Sequence, residues 1–229
     1  MDSKKDKKGK DVTRREFLKN TATATAALTL AGVGFPNVLR GASPPDILIG
    51  HVHPLSGFLA FDGQEQKHAV MYGIKEVNDA GGIKSLGGAK LKLLDADSEG
   101  KPDRAISEVE RLGRDGAVCI TGCYQSAVGI VATQVSEKLG IPFIIGVGSA
   151  EEITERGLKY TFRTQPASSS FSRRALSYLK EIADNSGEKV ETIAYLHESS
   201  QFGTMLANFV EEFAPQYGMK VIKRVSYST

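Results

Sequence analysis

The chain has no tryptophan, and only two cysteines and four histidines occur in its 229 residues. Soft ligands this few and this scattered give no zinc-type spacing. Cys119 and Cys123 lie four residues apart, one in a strand-like run and one in the loop after it. Extended backbone separates such positions by roughly 13 Å, whereas a disulfide needs Cα atoms within about 7 Å, so both are expected as free thiols. No run of about 20 apolar residues is present, so no membrane-spanning helix is expected. The fingerprint G-x-G-x-x-G is missing after the first strand-like segment, which leaves dinucleotide binding without support. No nucleophile–base pair and no metal-ligand cluster stands out, so an enzyme is disfavoured and no cofactor or metal is expected.

What is present is ordinary in bulk, 41% hydrophobic and 24% charged, as in soluble globular domains. The charge is uneven. Residues 1–43 carry nine lysines and arginines against four acids, a surplus of five, so the rest of a chain with net charge +2 is acidic by three. An acidic body offers no footprint for nucleic acid. The basic block has its own explanation. Residues 13–19, Thr-Arg-Arg-Glu-Phe-Leu-Lys, look like a twin-arginine export motif, and the weakly apolar stretch 21–35 after it suits the h-region of a signal peptide. Residues 1–43 are therefore set apart as a twin-arginine signal peptide cleaved near 41–43. That assignment implies the Tat translocase as a partner during export and the periplasm as destination. No cysteine lies in or just after the segment, which argues against a lipid anchor.

The body is organised around residues 117–150. A short β-branched run at 118–121 meets a turn-prone break, Gly122-Cys123-Tyr124-Gln125-Ser126. Val128, Val131, Ala132, Val135 and Leu139 then recur at helical spacing until Gly140, and Pro142 opens a second strand, Phe143-Ile144-Ile145, broken by Gly146-Val147-Gly148-Ser149. This is a βαβ unit, so both polar loops leave the carboxyl edge of one parallel sheet, where open α/β sheets bind ligands. Each loop supplies a hydroxyl, Ser126 and Ser149. Ser126 also stands where a helix begins, where a small carboxylate is favoured; the alternative is that it only caps the helix.

The remainder alternates in the same way. Strands are predicted at 46–52, 91–96, 160–163, 192–196 and 219–225. Helices are predicted at 64–79, with Ala69, Val70, Gly73, Ile74 and Val77 inward; at 102–112, with Ile106, Val109 and Leu112 inward; at 171–184; and from about 204 onward, with a short turn at 151–156. Phe58 and Phe61, in the loop 53–64, are either a pocket wall or a packed loop. Asp95 and Asp97 read as solvated loop acids rather than metal ligands. Ser168 to Ser170 either face a cleft or cap the next helix. The fold is therefore α/β, with a first parallel-sheet lobe over 44–165 and a second lobe over 166–229. Two strands and two helices do not bury their own faces, so the second lobe is expected to be truncated and the chain to be the front portion of a longer protein.

Several motifs in this order carry a family resemblance. They are Pro54-Leu55-Ser56-Gly57 with Asp62-Gly63, Glu76-Val77-Asn78-Asp79-Ala80-Gly81-Gly82-Ile83, residues 122–126, Gly140-Ile141-Pro142, Ile153-Thr154, Phe162-Arg163-Thr164 and Phe202-Gly203. Over about 47–227 the chain resembles the periplasmic leucine/isoleucine/valine-binding proteins, the type I substrate-binding receptors of ABC importers. The resemblance implies the type I periplasmic-binding-protein fold, two lobes closing on a small ligand, and an ABC permease as partner. It implies that Ser126 and Ser149 hold the carboxylate of an amino acid and that the Val147 carbonyl takes its ammonium group. Tyr124 and Gln125, in the same loop as Ser126, join them as ligand-binding candidates. Other positions depart from the family. Asp62 replaces a common tyrosine whose ring Phe61 could supply, Ser168 replaces an acid of some relatives, and Phe202 keeps a ring without its hydroxyl. The implied function is capture of a branched-chain or other amino acid, or a similar small carboxylate, for import. The alternatives are a sensory receptor of the same fold or a binding protein for amides, urea or aromatic acids, with an exported enzyme behind them.

Overall fold

The computed structural model describes residues 44–228; the export segment read at 1–43 lies outside the described residues. The chain runs β1 (Ile47–His53), α1 (Ala60–Asp79), β2 (Leu91–Asp97), α2 (Pro102–Arg114), β3 (Cys119–Gly122), α3 (Ser126–Leu139), β4 (Phe143–Ile145), α4 (Glu151–Thr154) and β5 (Thr161–Arg163). It continues with α5 (Ser168–Ser186), β6 (Thr192–Glu198), α6 (Gln201–Phe213) and β7 (Lys220–Tyr227). Local chemistry sets several boundaries. Pro102 opens α2, where its missing N–H costs nothing. Gly140 closes α3 at φ +67°, with its N–H and that of Ile141 turned back to the Glu137 and Ser136 carbonyls.

Strands β2-β1-β3-β4-β5, in that spatial order, form one sheet with every neighbouring pair parallel. β6 and β7 form a second parallel pair, with a register shift between Ile193 and Ala194. In the larger sheet the strand order reverses between β1 and β3. The loops leaving those two strands thus diverge to opposite sides and open a crevice at the carboxyl edge.

One face of the larger sheet carries the main core. Val52, Ile120, Phe143 and Ile145 meet Ala105, Val109 and Leu112 of α2, Val128 and Ala132 of α3, and Ile153 of α4. Each large side chain buried here contributes roughly 1.5–3 kcal/mol. The helical stripes are displaced from those read in the sequence. In α2 the buried residue is Ala105 instead of Ile106, which is only half-buried. In α3, Val131, Val135 and Leu139 sit toward the rim, while Thr133 and Ser136 are buried. The latter two satisfy themselves on backbone, Thr133 Oγ1 donating to the Gly129 carbonyl at 2.7 Å and Ser136 Oγ to that of Ile141 at 2.6 Å. A smaller cluster, Leu176, Val210, Phe213, Ala214 and Met219, lies against β6 and β7.

The other face of the larger sheet is polar. Strand alternation puts Gly50 and Val52 toward α2 and turns His51 and His53 the other way; a Cβ on Gly50 would stand 2.8 Å from Leu112. His51 and His53 are buried and stacked, centroids 4.5 Å apart. The Nδ1 of His51 lies 3.2 Å from the Thr121 hydroxyl, and Asp95, beside His51 in register, pairs with Lys67 of α1 at 2.5 Å. Helix α1 covers this row with a thin stripe: Val70, Ile74 and Val77 are half-buried, Ala69 and Gly73 are exposed, and only Gly63 is fully buried. Its Asn78 side chain clamps both the N–H and the carbonyl of Leu91 at 2.8 Å.

Asp97 is not a solvated loop acid. Its carboxylate accepts the N–H groups of Leu55 (2.8 Å), Ser56 (3.3 Å) and Glu99 (2.8 Å) and the Ser56 hydroxyl (2.5 Å). Desolvation pushes the carboxyl upward, but the Ser56 hydroxyl and the three N–H donors outweigh it and hold its pKa below the ordinary value. This one side chain fixes the β1–α1 loop over the carboxyl edge. Asp97→Ala is expected to cost about 2 kcal/mol of unfolding free energy, charge-assisted bonds contributing roughly 1.5–3 kcal/mol each when buried and less at a half-exposed site. An unchanged urea midpoint would remove the clamp from this account.

The histidine pair sets the response to acid. Burial, opposed by Asp95 and assisted by Lys67, lowers the His51 pKa from 6.5 to about 4; burial and then His51 lower that of His53 to about 3. Above about pH 6.5 neither the folded nor the unfolded chain protonates them. As pH falls from there toward 4, the unfolded chain binds protons that the folded chain refuses, so stability is lost across that window. A tenfold difference in proton affinity is about 1.4 kcal/mol, and the pair accounts for a loss of a few kcal/mol. His53→Leu should flatten the fall in urea midpoint between pH 7 and pH 4.5; parallel falls in both proteins would contradict it.

Candidate functional site

All strands of both sheets run parallel to their neighbours, and the loops that leave their carboxyl ends meet around a cavity of about 740 Å³. The larger sheet lines it with Phe58 and Leu59 after β1, Glu99 and Gly100 after β2, the 124–127 turn after β3, and Val147 and Ser149 after β4. Tyr195 to Glu198 of β6, the first turn of α6 and Tyr227 of β7 form the opposing wall.

The β3–β4 ladder continues past the ends of both strands. The Gly146 N–H donates to the Gly122 carbonyl at 2.9 Å, Gly148 to that of Cys123 at 3.0 Å, and the Ala150 N–H to the Ser126 hydroxyl oxygen at 3.3 Å. Alternate N–H groups of the 146–150 loop are thereby committed to the ladder. Ser126 and Ser149 are both only 2% exposed. Ser126 is the first residue of α3, while Gln125 holds the cap position without a side-chain bond. The helix therefore does not use the Ser126 hydroxyl as its cap. It accepts from Ala150 and keeps its proton to donate.

Ser149 is braced from behind. Arg163 Nη1 donates to the Ser149 and Ala150 carbonyls at 3.1 and 2.8 Å, and the Ser168 N–H to the Ser149 carbonyl at 2.9 Å. The Ser168 hydroxyl is 2.9 Å from Ser149 Oγ and 3.1 Å from the Ser149 carbonyl. Two N–H donors already occupy that carbonyl's lone pairs. A Ser168 proton given to Ser149 Oγ, instead of to the Ser149 carbonyl, leaves the Ser149 proton for a ligand acceptor. Two hydroxyls on stitched loops, beside the N–H groups that open α3, make an arrangement suited to a carboxylate.

Six of the nine residues singled out in the sequence line the cavity: Tyr124, Gln125, Ser126, Val147, Ser149 and Phe202. Gln125 is partly diverted, its Nε2 donating to the Gly100 carbonyl at 3.2 Å. Ser168 is fully buried behind Ser149 and neither lines the cavity nor caps its helix, since Ala167 holds the cap position. Phe61 and Asp62 are also outside the lining. Helix α1 starts at Ala60, four residues earlier than expected, which turns Phe61 outward at 77% exposed and leaves Phe58 and Leu59 as the wall. Asp62 lies close enough to act on the Tyr124 hydroxyl. Burial raises the pKa of that phenol first, then the charge and hydrogen bonding of Asp62 and the charge of Glu198.

Sequence reasoning missed Glu99, Tyr195, His197, Glu198 and Tyr227. The carboxyl-edge rule that pointed to Ser126 and Ser149 applies equally to β2, β6 and β7 and points to them. Glu99 is neutralised by Lys101 at 2.8 Å and Arg104 at 3.2 Å. His197 is committed at both nitrogens, Nδ1 lying 2.7 Å from the Glu198 carbonyl and Nε2 accepting from Arg224 at 2.9 Å. It is not placed as a base toward Ser126 or Ser149, whose partners are Ala150 and Ser168. Cys119 and Cys123 are free thiols; burial pushes both upward in pKa, Cys123 the further, away from the thiolate. Among the described residues no group of three His, Cys, Asp or Glu side chains could hold a metal, and no helix is long and apolar enough to cross a membrane.

Comparison with known proteins agrees with this geometry. The family model described as "Periplasmic binding protein" matches residues 46–229. The chain is 36% identical over 200 residues to Leu/Ile/Val-binding protein homolog 8 of Brucella abortus, covering 86% of this chain and 49% of that protein. It thus spans about half the length of the curated relatives it matches. Among solved structures it is similar to a branched-chain amino acid transporter substrate-binding protein of Streptococcus pneumoniae in complex with isoleucine (TM-score 0.69, 21% identity, 80% of this chain and 50% of that one). It is equally similar in fold to a solute-binding protein of an ABC transporter from Rhodopseudomonas palustris in complex with 3,4-dihydroxybenzoic acid (TM-score 0.69, 18% identity, 80% and 47%). The parallel sheets, the cavity on their carboxyl edges and a family match across nearly all the described residues lead to one assignment: the chain belongs to the periplasmic binding protein family and has the type I fold of that family, in part.

Proposed function

We propose that the protein captures a small carboxylate, foremost a branched-chain or other amino acid, and presents it to an ABC permease. The observation that carries this reading is the pair of buried hydroxyls, Ser126 and Ser149, on loops stitched together by the extended β3–β4 ladder and facing the cavity. Ser126 and Ser149 donate to the ligand carboxylate, and the free N–H groups opening α3 add to its charge stabilisation. Tyr124, Val147 and Phe202 shape the rest of the cavity. Residues 44–165 and 166–229 act as two lobes that close on the ligand and expel water. Twin-arginine export through residues 1–43 puts this capture in the periplasm.

A second reading has its own support. Phe58, Tyr124, Tyr195, Phe202 and Tyr227 give the cavity an aromatic lining, and one structural relative holds 3,4-dihydroxybenzoic acid. An aromatic acid could use the same hydroxyls.

The test is a thermal-shift panel on the full reading frame, with aliphatic, acidic, basic and aromatic amino acids, short amides and aromatic acids. A ligand at 100 times its Kd adds about 2.7 kcal/mol of stability, a rise of several degrees. Replacing both hydroxyls, Ser126→Ala with Ser149→Ala, should then weaken the responding ligand at least about tenfold by calorimetry, two charge-assisted bonds of roughly 1.5–3 kcal/mol each being lost. Unchanged affinity would remove the carboxylate site, and no shift with any compound from folded protein would remove the capture function.

A further inference from the structure

Helix α5 carries two apolar stripes. In the first, Ser172, Leu176 and Ala183 are buried, and Leu176 packs among Val210, Phe213 and Met219 of the smaller cluster. The second, Phe171, Ala175, Tyr178 and Ile182, is exposed, 39% at Phe171, 52% at Tyr178 and 65% at Ile182. The spacing i, i+4, i+7, i+11 keeps all four on one side of the helix along about three turns. The outer side of a surface helix is ordinarily polar. Here it repeats apolar residues as the seam of a two-helix coiled coil does. None of the four lines the cavity.

The charges beside this stripe are of a particular kind. Arg174 and Glu181 stand on the same flank of it, seven residues apart, one near each end. Neither forms an ion pair among the described residues. The Arg174 guanidinium lies 5.6 Å from the ring centroid of Tyr178, against the stripe itself. Other charged residues of α5 are already engaged: Arg173 lies over the Phe213 ring and donates to Gln216, and Lys180 pairs with Asp184. An apolar seam with one free cation and one free anion along its edge is complementary to itself when turned end for end.

We propose that this face of α5 binds the same face of a second copy of the chain, antiparallel, in an isologous dimer. A two-fold axis crossing α5 between Ser177 and Tyr178 sets Arg174 of each copy opposite Glu181 of the other. The small Ala175 of each copy then falls between Tyr178 and Ile182 of the other, and Phe171 beside Ile182. A parallel pairing would bring Arg174 against Arg174 and Glu181 against Glu181, so the charges select the antiparallel order. A helix of 19 residues spans about 28 Å. One such pair buries less than the roughly 800 Å² per partner of a standard interface, so the dimer is weak and reversible. It leaves the cavity uncovered and does not depend on which ligand the cavity takes.

The experiment is analytical ultracentrifugation of the full reading frame without ligand, over about 1 to 500 µM. A monomer–dimer equilibrium is expected, with Kd on the order of 10–100 µM. Arg174→Glu or Glu181→Arg alone should raise the Kd at least about tenfold, since each sets like charges together twice across the two-fold axis. The exchange of both, Arg174→Glu with Glu181→Arg, should return it to within about threefold of the unaltered value. Ile182→Asp, which places a charge in the seam, should leave monomer only. Circular dichroism and a melt of each variant separate a folding defect from an association defect, and recovery in the exchanged variant cannot come from damage to the fold. Monomer at every concentration, as when another segment of the reading frame covers the stripe, overturns the proposal. So does a dimer indifferent to Arg174→Glu and Ile182→Asp, or one weakened by the single changes and not restored by the exchange.

Discussion

The ladder between β3 and β4 outlasts the strands that define it, and the site depends on that continuation. Gly146, Gly148 and Ala150 donate in turn to the Gly122 carbonyl, the Cys123 carbonyl and the Ser126 hydroxyl. The last rung exchanges a backbone acceptor for a side chain, which fixes where the Ser126 hydroxyl sits and which of its hydrogen-bonding capacities remains. A slip of one residue would send Ser149 to the other side of its loop and Gly148 into the cavity. Glycine is needed on the inner side, since a Cβ on Gly148 would lie 2.9 Å from Ile153 and one on Gly122 would lie 2.5 Å from the Val52 carbonyl. The ladder runs this far only because nothing larger stands in its way.

The two faces of the larger sheet serve different ends. Its α2–α3 face is a close-packed apolar layer and carries most of the hydrophobic stabilisation. The α1 face holds buried imidazoles, a threonine and a lysine–aspartate pair under a helix with little apolar surface. Buried polar groups are costly when unpaired, and His51 Nε2 and His53 Nδ1 have no hydrogen-bond partner among the described residues. That layer answers to pH through the two histidines. The β1–α1 loop still keeps its place over the cavity because Asp97, and not the helix, holds it.

The α/β alternation was legible because its marks are local: β-branched runs for strands, Pro102 and Gly140 at helix ends, glycines after α1. Three helix starts were not, those of α1, α5 and α6, the last beginning at Gln201 and not near 204. Helices α1 and α5 begin after Leu59 and Ala167, neither of which offers a capping side chain, so the usual signature of an N-terminus is missing at both. The error at α1 turned Phe61 and Asp62 from loop residues into helical ones and shifted the wall to Phe58 and Leu59. At the cavity, the carboxyl-edge rule placed Tyr124, Ser126, Val147 and Ser149 on the wall that they line. Ser168, expected either to face a cleft or to cap its helix, lies behind Ser149 and outside the cavity lining. The histidine row and the Asp97 clamp could not be read, because each joins residues that only the folded sheet brings into register.

Glu198 was hidden by turn chemistry. Residues 197–203, His-Glu-Ser-Ser-Gln-Phe-Gly, look like an ordinary strand-to-helix turn, and they are one: Ser200 caps α6 by accepting from Gly203. The same bonds orient a carboxylate. Ser200 accepts from Gly203 with its oxygen and donates its proton to Glu198, so the hydroxyl that starts the helix also steers the charge. The absence of a Cβ at Gly203 lets α6 begin against the Glu198 backbone. A cap made by a residue without a proton to donate, such as aspartate, would start the helix equally well and would repel Glu198. The choice of serine over aspartate at that cap is thus understood from the carboxylate two residues before it. In this turn, helix initiation and the electrostatics of the cavity are solved by a single hydrogen-bond chain.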